Sequence, residues 1–337
     1  MRPLGSYEAS LSARSFPAAA CAALLTCGCA SAARCPGPAP APVPLGQHSA
    51  SAGRFRWVNP ILDCGASSGL MEHRPTKRKL LDLLASAKGS GGISQASVYY
   101  RDLDNGPWLG IDEHEKFAPA SLLKLPLLMG ILKRAEEEPS VLEWRVTFTA
   151  GLGVLPEQRF NPATTLTPGV AYPAAQLLEA MIRDSDNHAA LALLKAFGGQ
   201  GIAGLYEDLG ISLPEEGVAD GLQIKDYAAL FRVLYNASYL DRAKSEKVLG
   251  WLVGSSFRDG LVAGVPSSVP VAHKYGERTD AASGLSQLHD CGIVYHPGNP
   301  YLLCVMTRGR EFAPLADTIR RVSALVYEDI TAATRRP

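Results

Sequence analysis

Ser121 and Lys124 stand three residues apart in "FAPASLLKLPLLMGILKRAE", the stretch from Phe117 to Glu136. On a helix, positions i and i+3 share a face, so this hydroxyl and this amine project side by side. Six leucines surround Lys124 in the stretch. A lysine that loses its hydration among them has its charged form disfavoured and its pKa lowered. A partly neutral amine beside a hydroxyl can act as the general base that serine needs, because serine's own pKa is far too high. A helix start adds unpaired N–H groups and the positive end of the helix dipole, both suited to a developing oxyanion. Pro126 limits how far upstream a regular helix can begin, which puts Ser121 in its first turn. Taken alone, the pair also fits an N-cap serine and a lysine that snorkels past its neighbours.

Two further stretches narrow the reading. "RDSDNHAAL" sets Ser185-Asp186-Asn187 between two apolar segments, where a helix break with a good capping residue is the plain explanation. "VAHKYGE" sets Lys274-Tyr275-Gly276 at the end of an apolar strand-like run, where a lysine is usually solvated. Their joint order, S-x-x-K, then S-D-N, then K-x-G, is far less common by accident than any one of them. It is the motif set of class A β-lactamases and penicillin-binding proteins.

From about Lys77 to Ala332 the chain resembles the class A β-lactamase-like serine hydrolases of the penicillin-recognising superfamily. The "LTPGVAYPAAQLLEAMIRDSDN" approach to the second motif and the glycine pair Gly198-Gly199 add to the likeness. The resemblance implies that Ser121 is the acylated nucleophile and Lys124 its base. It implies that Ser185 relays a proton towards the leaving nitrogen, and that Asn187 orients Lys124 and binds the substrate's amide side chain. Lys274 would supply positive potential for a substrate carboxylate and keep Ser185 poised. The backbone N–H groups of Ser121 and Glu277 would form the oxyanion hole, and Gly276 would leave room for substrate against the strand. The implied substrate is a small-molecule β-lactam or a D-Ala-type cell-wall peptide, with no cofactor and no metal.

Two departures bear on turnover. Family members that hydrolyse β-lactams carry an E-x-x-N-type loop whose glutamate activates the deacylating water. Here that region reads "LGISLPEEGVADGLQIKDYA", contracted and without the pattern. Glu215 and Glu216 fall in roughly the right place, although a pair of exposed loop carboxylates explains them equally simply. Without a positioned base, acylation can proceed while deacylation stalls. The second departure is Tyr275, where the family has a small Thr or Ser whose hydroxyl meets the substrate carboxylate. A phenol projects too far to reproduce that contact, and Arg278 and Thr279 are the nearby residues able to compensate. His273 and His289 flank the same strands, but no third ligand has suitable spacing, so both are expected as core or surface histidines.

The elements that must position these residues are readable in outline. "KRKLLDLLASAK" (Lys77 to Lys88) has helical leucine spacing. "SQASVYYRDLDNGPWLGID" predicts a hairpin turning at Asn105-Gly106. A helical middle follows, with apolar stripes in Tyr172 to Asp184, His188 to Gly199 and Lys225 to Ser238. Strand patterns return at Ser268 to Gly276, Gln287 to His296 and Tyr301 to Gly309, and an amphipathic helix closes the chain. Strands at both ends around a helical middle argue against βαβ winding. They predict an α/β (α+β) fold, an antiparallel sheet flanked by helices with an all-helical domain inserted. The expected division is a leader and linker over 1–72, a discontinuous sheet domain from 73–120 plus 250–337, and a helical domain over 121–249.

Composition bounds the rest. The 337 residues carry 33 basic and 33 acidic side chains, a balance that argues against nucleic acid as a partner. No apolar run reaches the length of a spanning helix, and a soluble monomer is expected. "FPAAACAALLTCGCASAARC" (Phe16 to Cys35), preceded by Arg2 and Arg14 and carrying Ala30-Ser31-Ala32, has the form of an export signal. "CPGPAPAPVPLGQ" then reads as an extended tether. Glu8 and a long n-region run against that reading, and a start at Met71 would give a cytoplasmic product. Cys21, Cys27, Cys29 and Cys35 belong to the leader. Cys64, Cys291 and Cys304 lack metal spacing; Cys291 and Cys304 fall on strands that can be neighbours, so a bridge between them is open, although buried free thiols are the first expectation.

Overall fold

The computed structural model describes residues 56–59, 74–104, 106–149, 158–160, 166–211 and 220–334, all within one unit, Gly53–Pro337. The leader motif, the Pro-rich tether, Met71, Asn105, Glu215 and Glu216 lie outside the described residues. The first helix, α1 (Arg74–Gly89), carries the leucine stripe at Leu80 and Leu84. It is followed by β1 (Gln95–Asp102) and β2 (Trp108–Ile111), paired antiparallel. Gly106 turns between them with φ +84°, a conformation that glycine adopts without steric cost.

A short strand β3 (Lys116–Phe117) leads to a 3₁₀ turn over Ala120–Leu123 and then to α2 (Lys124–Glu137). Ser121 therefore lies in the 3₁₀ turn and not within the α-helix itself. The tighter turn brings residue i+3 almost directly over residue i, which aligns Ser121 with Lys124 more closely than an α-helical turn would. β4 (Arg145–Thr147) pairs with β5 (Ala171–Pro173). The helices α3 (Ala174–Arg183), α4 (Asn187–Phe197) and α5 (Gln200–Asp208) come next. β6 (Leu222–Gln223) returns to pair with β3, and α6 (Ile224–Tyr235) and α7 (Arg242–Val253) complete the helical part.

The chain ends with β7 (Val271–Thr279), β8 (Ser286–Val294), β9 (Tyr301–Gly309) and α8 (Phe312–Thr334). The main sheet has the order β2-β1-β9-β8-β7, and every pairing is antiparallel. Strands from the two ends of the chain meet where β1 pairs with β9, as the sequence predicts. Both faces are covered. Along β9, Leu302, Cys304 and Met306 enter the core shared with the helical part, while Leu303 and Val305 enter the core under α1 and α8. This alternation is the period of two that a strand imposes, and burial of both faces is why these strands read as continuous apolar runs.

Two expectations change. Cys291 and Cys304 are direct cross-strand partners on β8 and β9 and form a disulfide, not a pair of free thiols. Adjacency in register brings the sulfurs together, and sequence spacing does not reveal register. Within residues 1–72, expected as leader and linker, Arg56–Asn59 are held. The backbone amides of Arg56, Trp57 and Val58 all donate to the Glu246 carboxylate on α7, Trp57 and Val58 at 2.6 and 3.0 Å. Trp57 packs on Tyr295 with ring centroids 4.9 Å apart, and the Tyr295 hydroxyl donates to the Trp57 carbonyl.

Candidate active site

Three chain segments converge on the helical-part side of the edge strand β7. The first is the turn before α2. Ala120 there has φ +47°, a left-handed backbone unfavourable for a residue with a Cβ. It sits directly before Ser121. The second is the link between α3 and α4. Ser185 is also left-handed, at φ +57°. Asp186 caps α4, accepting from the His188 and Ala189 amides at 2.7 and 3.0 Å. The capping reading of S-D-N is thus met by Asp186, which leaves Ser185 and Asn187 free to face the other segments. The third segment is β7, where Lys274 and Gly276 point to the same side.

Lys124 Nζ is the hub. It lies 3.0 Å from Ser121 Oγ, 3.1 Å from Ser185 Oγ, 2.6 Å from Asn187 Oδ1 and 2.5 Å from the Ser185 carbonyl. An ammonium has only three protons for these four oxygens. A neutral amine has two, matched by the carbonyl and Asn187 Oδ1, and a lone pair left to accept from Ser121. Burial pushes Lys124 down to about 7, against the opposing pull of the Asp186 and Glu277 carboxylates. The amine is therefore available as a base near neutral pH.

Lys274 is fully buried. It donates to Ser185 Oγ at 2.9 Å and to the Tyr275 carbonyl at 2.7 Å. Burial lowers its pKa well below that of an ordinary lysine, and the neighbouring Lys124 lowers it further. Ser185 Oγ is thus bracketed by two amines, a geometry for handing a proton from one side to the other. The Lys274 side chain has no exposed surface, and burial disfavours the positive charge expected of it.

The departing residues have definite places. Tyr275 is buried, stacked on Phe257 at 4.3 Å and edge-on to Phe160 at 5.8 Å, with Lys274 Nζ 4.3 Å from its ring centre. The phenol fills space where a small hydroxyl would leave room. Thr279, a residue able to compensate, is bonded to Ser286 Oγ at 3.1 Å. Gly276 lies against the nucleophile turn: a Cβ there would stand 3.0 Å from Leu122 Cγ and 3.2 Å from Leu122 N. The Glu277 carboxylate accepts from the Arg159 and Phe160 amides at 3.2 and 3.1 Å, and Gln158 Nε2 donates to the Ser185 carbonyl at 3.0 Å. Residues 158–160 and Phe257 border the site without any motif, because backbone amides and packing rings carry no spacing signal.

A family model described as the Beta-lactamase enzyme family matches residues 75–330. The chain belongs to the Beta-lactamase enzyme family. Among curated proteins, a β-lactamase of Bacillus licheniformis is 28% identical over 209 residues, covering 57% of this chain and 64% of that protein. The aligned part thus spans less than two thirds of that relative. A β-lactamase structure from Xanthomonas campestris pv. campestris superposes with a TM-score of 0.65 at 22% identity, over 76% of this chain and 98% of that one. A PBP-A mutant solved as an acyl-enzyme complex with penicillin G gives a TM-score of 0.63 at 23% identity, over 76% and 97%. These structures establish a β-lactamase and penicillin-binding fold, and family membership makes a hydrolase the coarse functional class.

Proposed function

We propose that the protein is a serine hydrolase acylated at Ser121 by β-lactams or related amides, with slow deacylation. The observation that carries this reading is the hydrogen-bonded chain Ser121–Lys124–Ser185–Lys274, each link 2.9–3.1 Å long. In this reading neutral Lys124 takes the Ser121 proton as Oγ attacks the amide carbonyl carbon. The carbonyl π electrons move onto oxygen, towards the amides of Ser121 and Glu277. When the tetrahedral species collapses, the C–N bond breaks and the nitrogen takes a proton from Ser185, which Lys124 or Lys274 then restores. Slow deacylation follows from the missing E-x-x-N pattern and from Glu277, the carboxylate beside the lysines, being engaged by two backbone amides.

A second reading, a D-alanyl-D-alanine peptidase or transpeptidase, is favoured by the same missing E-x-x-N pattern and by the buried phenol at 275. A non-hydrolytic penicillin-binding sensor would share the acylation step. Export to the periplasm or the extracellular side fits the Cys291–Cys304 disulfide, since such bonds persist in oxidising compartments.

The test follows a chromogenic cephalosporin and the intact mass of the protein together. A persistent adduct that forms in the wild type and is lost in Ser121→Ala is the expected result. Rapid colour without an adduct would overturn slow deacylation. No colour and no adduct would overturn β-lactam acylation and turn the question to D-Ala-D-Ala release.

A further inference from the structure

Upstream of Ser121 the chain is gripped by side chains from the middle of the sheet. Gln287 and His289 alternate on β8 and so share one face. Gln287 Oε1 accepts from the Ala118 amide at 2.9 Å, and His289 Nε2 lies 3.0 Å from the Ala118 carbonyl. A carbonyl only accepts, so His289 carries its proton on Nε2 and donates. Burial lowers the His289 pKa to about 4, so the ring is neutral across the working range. Its Nδ1 is buried without a partner among the described residues; the imidazole is held for a single bond.

The clamp has its own support. Gln287 Nε2 donates to Asp220 Oδ1 at 2.9 Å, which fixes the amide with its oxygen towards Ala118. Asp220 Oδ2 accepts from Arg308 at 2.8 Å, and Arg308 also donates to the Lys116 carbonyl at 2.8 Å. The Phe117 ring stands 4.8 Å from the Arg308 guanidinium and meets the His289 ring near-perpendicularly, with centroids 5.3 Å apart. Two residues beyond Ala118 comes the left-handed Ala120, and then Ser121. A non-glycine residue in that region persists only where its surroundings over-determine it, and Pro119, with its fixed φ, transmits position from Ala118 into the turn.

We propose that Gln287 and His289 are positioning residues for Ser121: by holding both polar groups of Ala118 they fix the strained turn that aims the nucleophile at its base. The inference rests on Ser121 being the acylated residue. Neither side chain touches the reacting atoms, so their effect falls on the rate of the covalent step and not on substrate affinity.

The experiment measures the limiting acylation rate and the half-saturating concentration separately, with penicillin G, by quenched-flow mass analysis. The variants are His289→Leu, His289→Gln and Gln287→Met, each with a melting curve. His289→Leu and Gln287→Met are expected to lower the limiting rate about 10- to 100-fold, as misplacement of a reacting group does, with half-saturation shifted less than about threefold. Glutamine at 289 can donate from Nε2, so His289→Gln is expected to recover most of the rate. If His289→Leu does not fold, His289→Gln and Gln287→Met still decide. Wild-type rates in folded Gln287→Met, or a His289→Gln rate as low as an unpaired site would give, overturn the clamp. Absence of any adduct in the wild type instead overturns the acylation reading itself.

Discussion

Protonation of Lys124 decides which of its four oxygen contacts survive, so the residue scale is where pH enters. With its pKa lowered to about 7 by burial, Lys124 is mostly charged at pH 6 and mostly neutral at pH 8. The second-order acylation rate constant should rise with pH through a midpoint near 7 and then level off, being roughly tenfold below its plateau at pH 6. Stopped-flow acylation across pH 5.5–9 checks this; a flat profile would remove Lys124 as the base. Lys124→Met should lower acylation by about 10²- to 10⁴-fold while leaving the fold intact, because an apolar side chain replaces a desolvated amine. The residues of the three motifs, which the fold brings together, were legible because their types and order mark them whatever their surroundings. Gln158, Phe160 and the contact of His289 with Ala118 were not. Each acts through a backbone atom or an aromatic face of a distant segment, and such partners leave no trace in spacing.

At the scale of elements, legibility followed amphipathic contrast. α3 has a clean stripe, Leu177, Leu178, Met181 and Ile182, and the sequence predicts it to within two residues. α7 buries Ser245, Val248, Leu249 and Leu252 amid lysines and a glutamate, so its periodicity is faint and tertiary packing defines it. The crossing of α2 and α5 is another feature that only packing reveals. A Cβ on Gly130 would stand 2.6 Å from the Gly201 carbonyl carbon, so the two backbones touch. Gly130→Ala should therefore destabilise by about 1–3 kcal/mol, the usual cost of overpacking, despite the better helix propensity of alanine. Urea unfolding checks it, and a midpoint equal to or above that of the wild type would contradict the contact. Because α2 begins with Lys124, the same variant should also slow acylation.

Over the whole molecule, the sheet joins the two ends of the chain, and its covalent tie lies between β8 and β9. Reducing Cys291–Cys304 should lower stability by about 2–3 kcal/mol, the value for a loop of this size. Calorimetry with and without a reductant checks this, with a free-thiol count to confirm cleavage; an unchanged melting temperature on full reduction would contradict it. The order β2-β1-β9-β8-β7 was legible as a class, since strand patterns stand at both ends of the sequence. Register was not, which is why the Cys291–Cys304 bridge stays only an alternative to free thiols at the level of sequence.

Trp57 gives the question of where translation starts a physical side. A polypeptide initiated at Met71 would lack the Trp57 ring that packs on Tyr295, and Glu246 would lose three backbone donors at once. Such a shortened product should melt earlier than the full chain and bind a hydrophobic dye at the bared ring, so the choice of initiation codon is also a choice between a sealed and an unsealed flank.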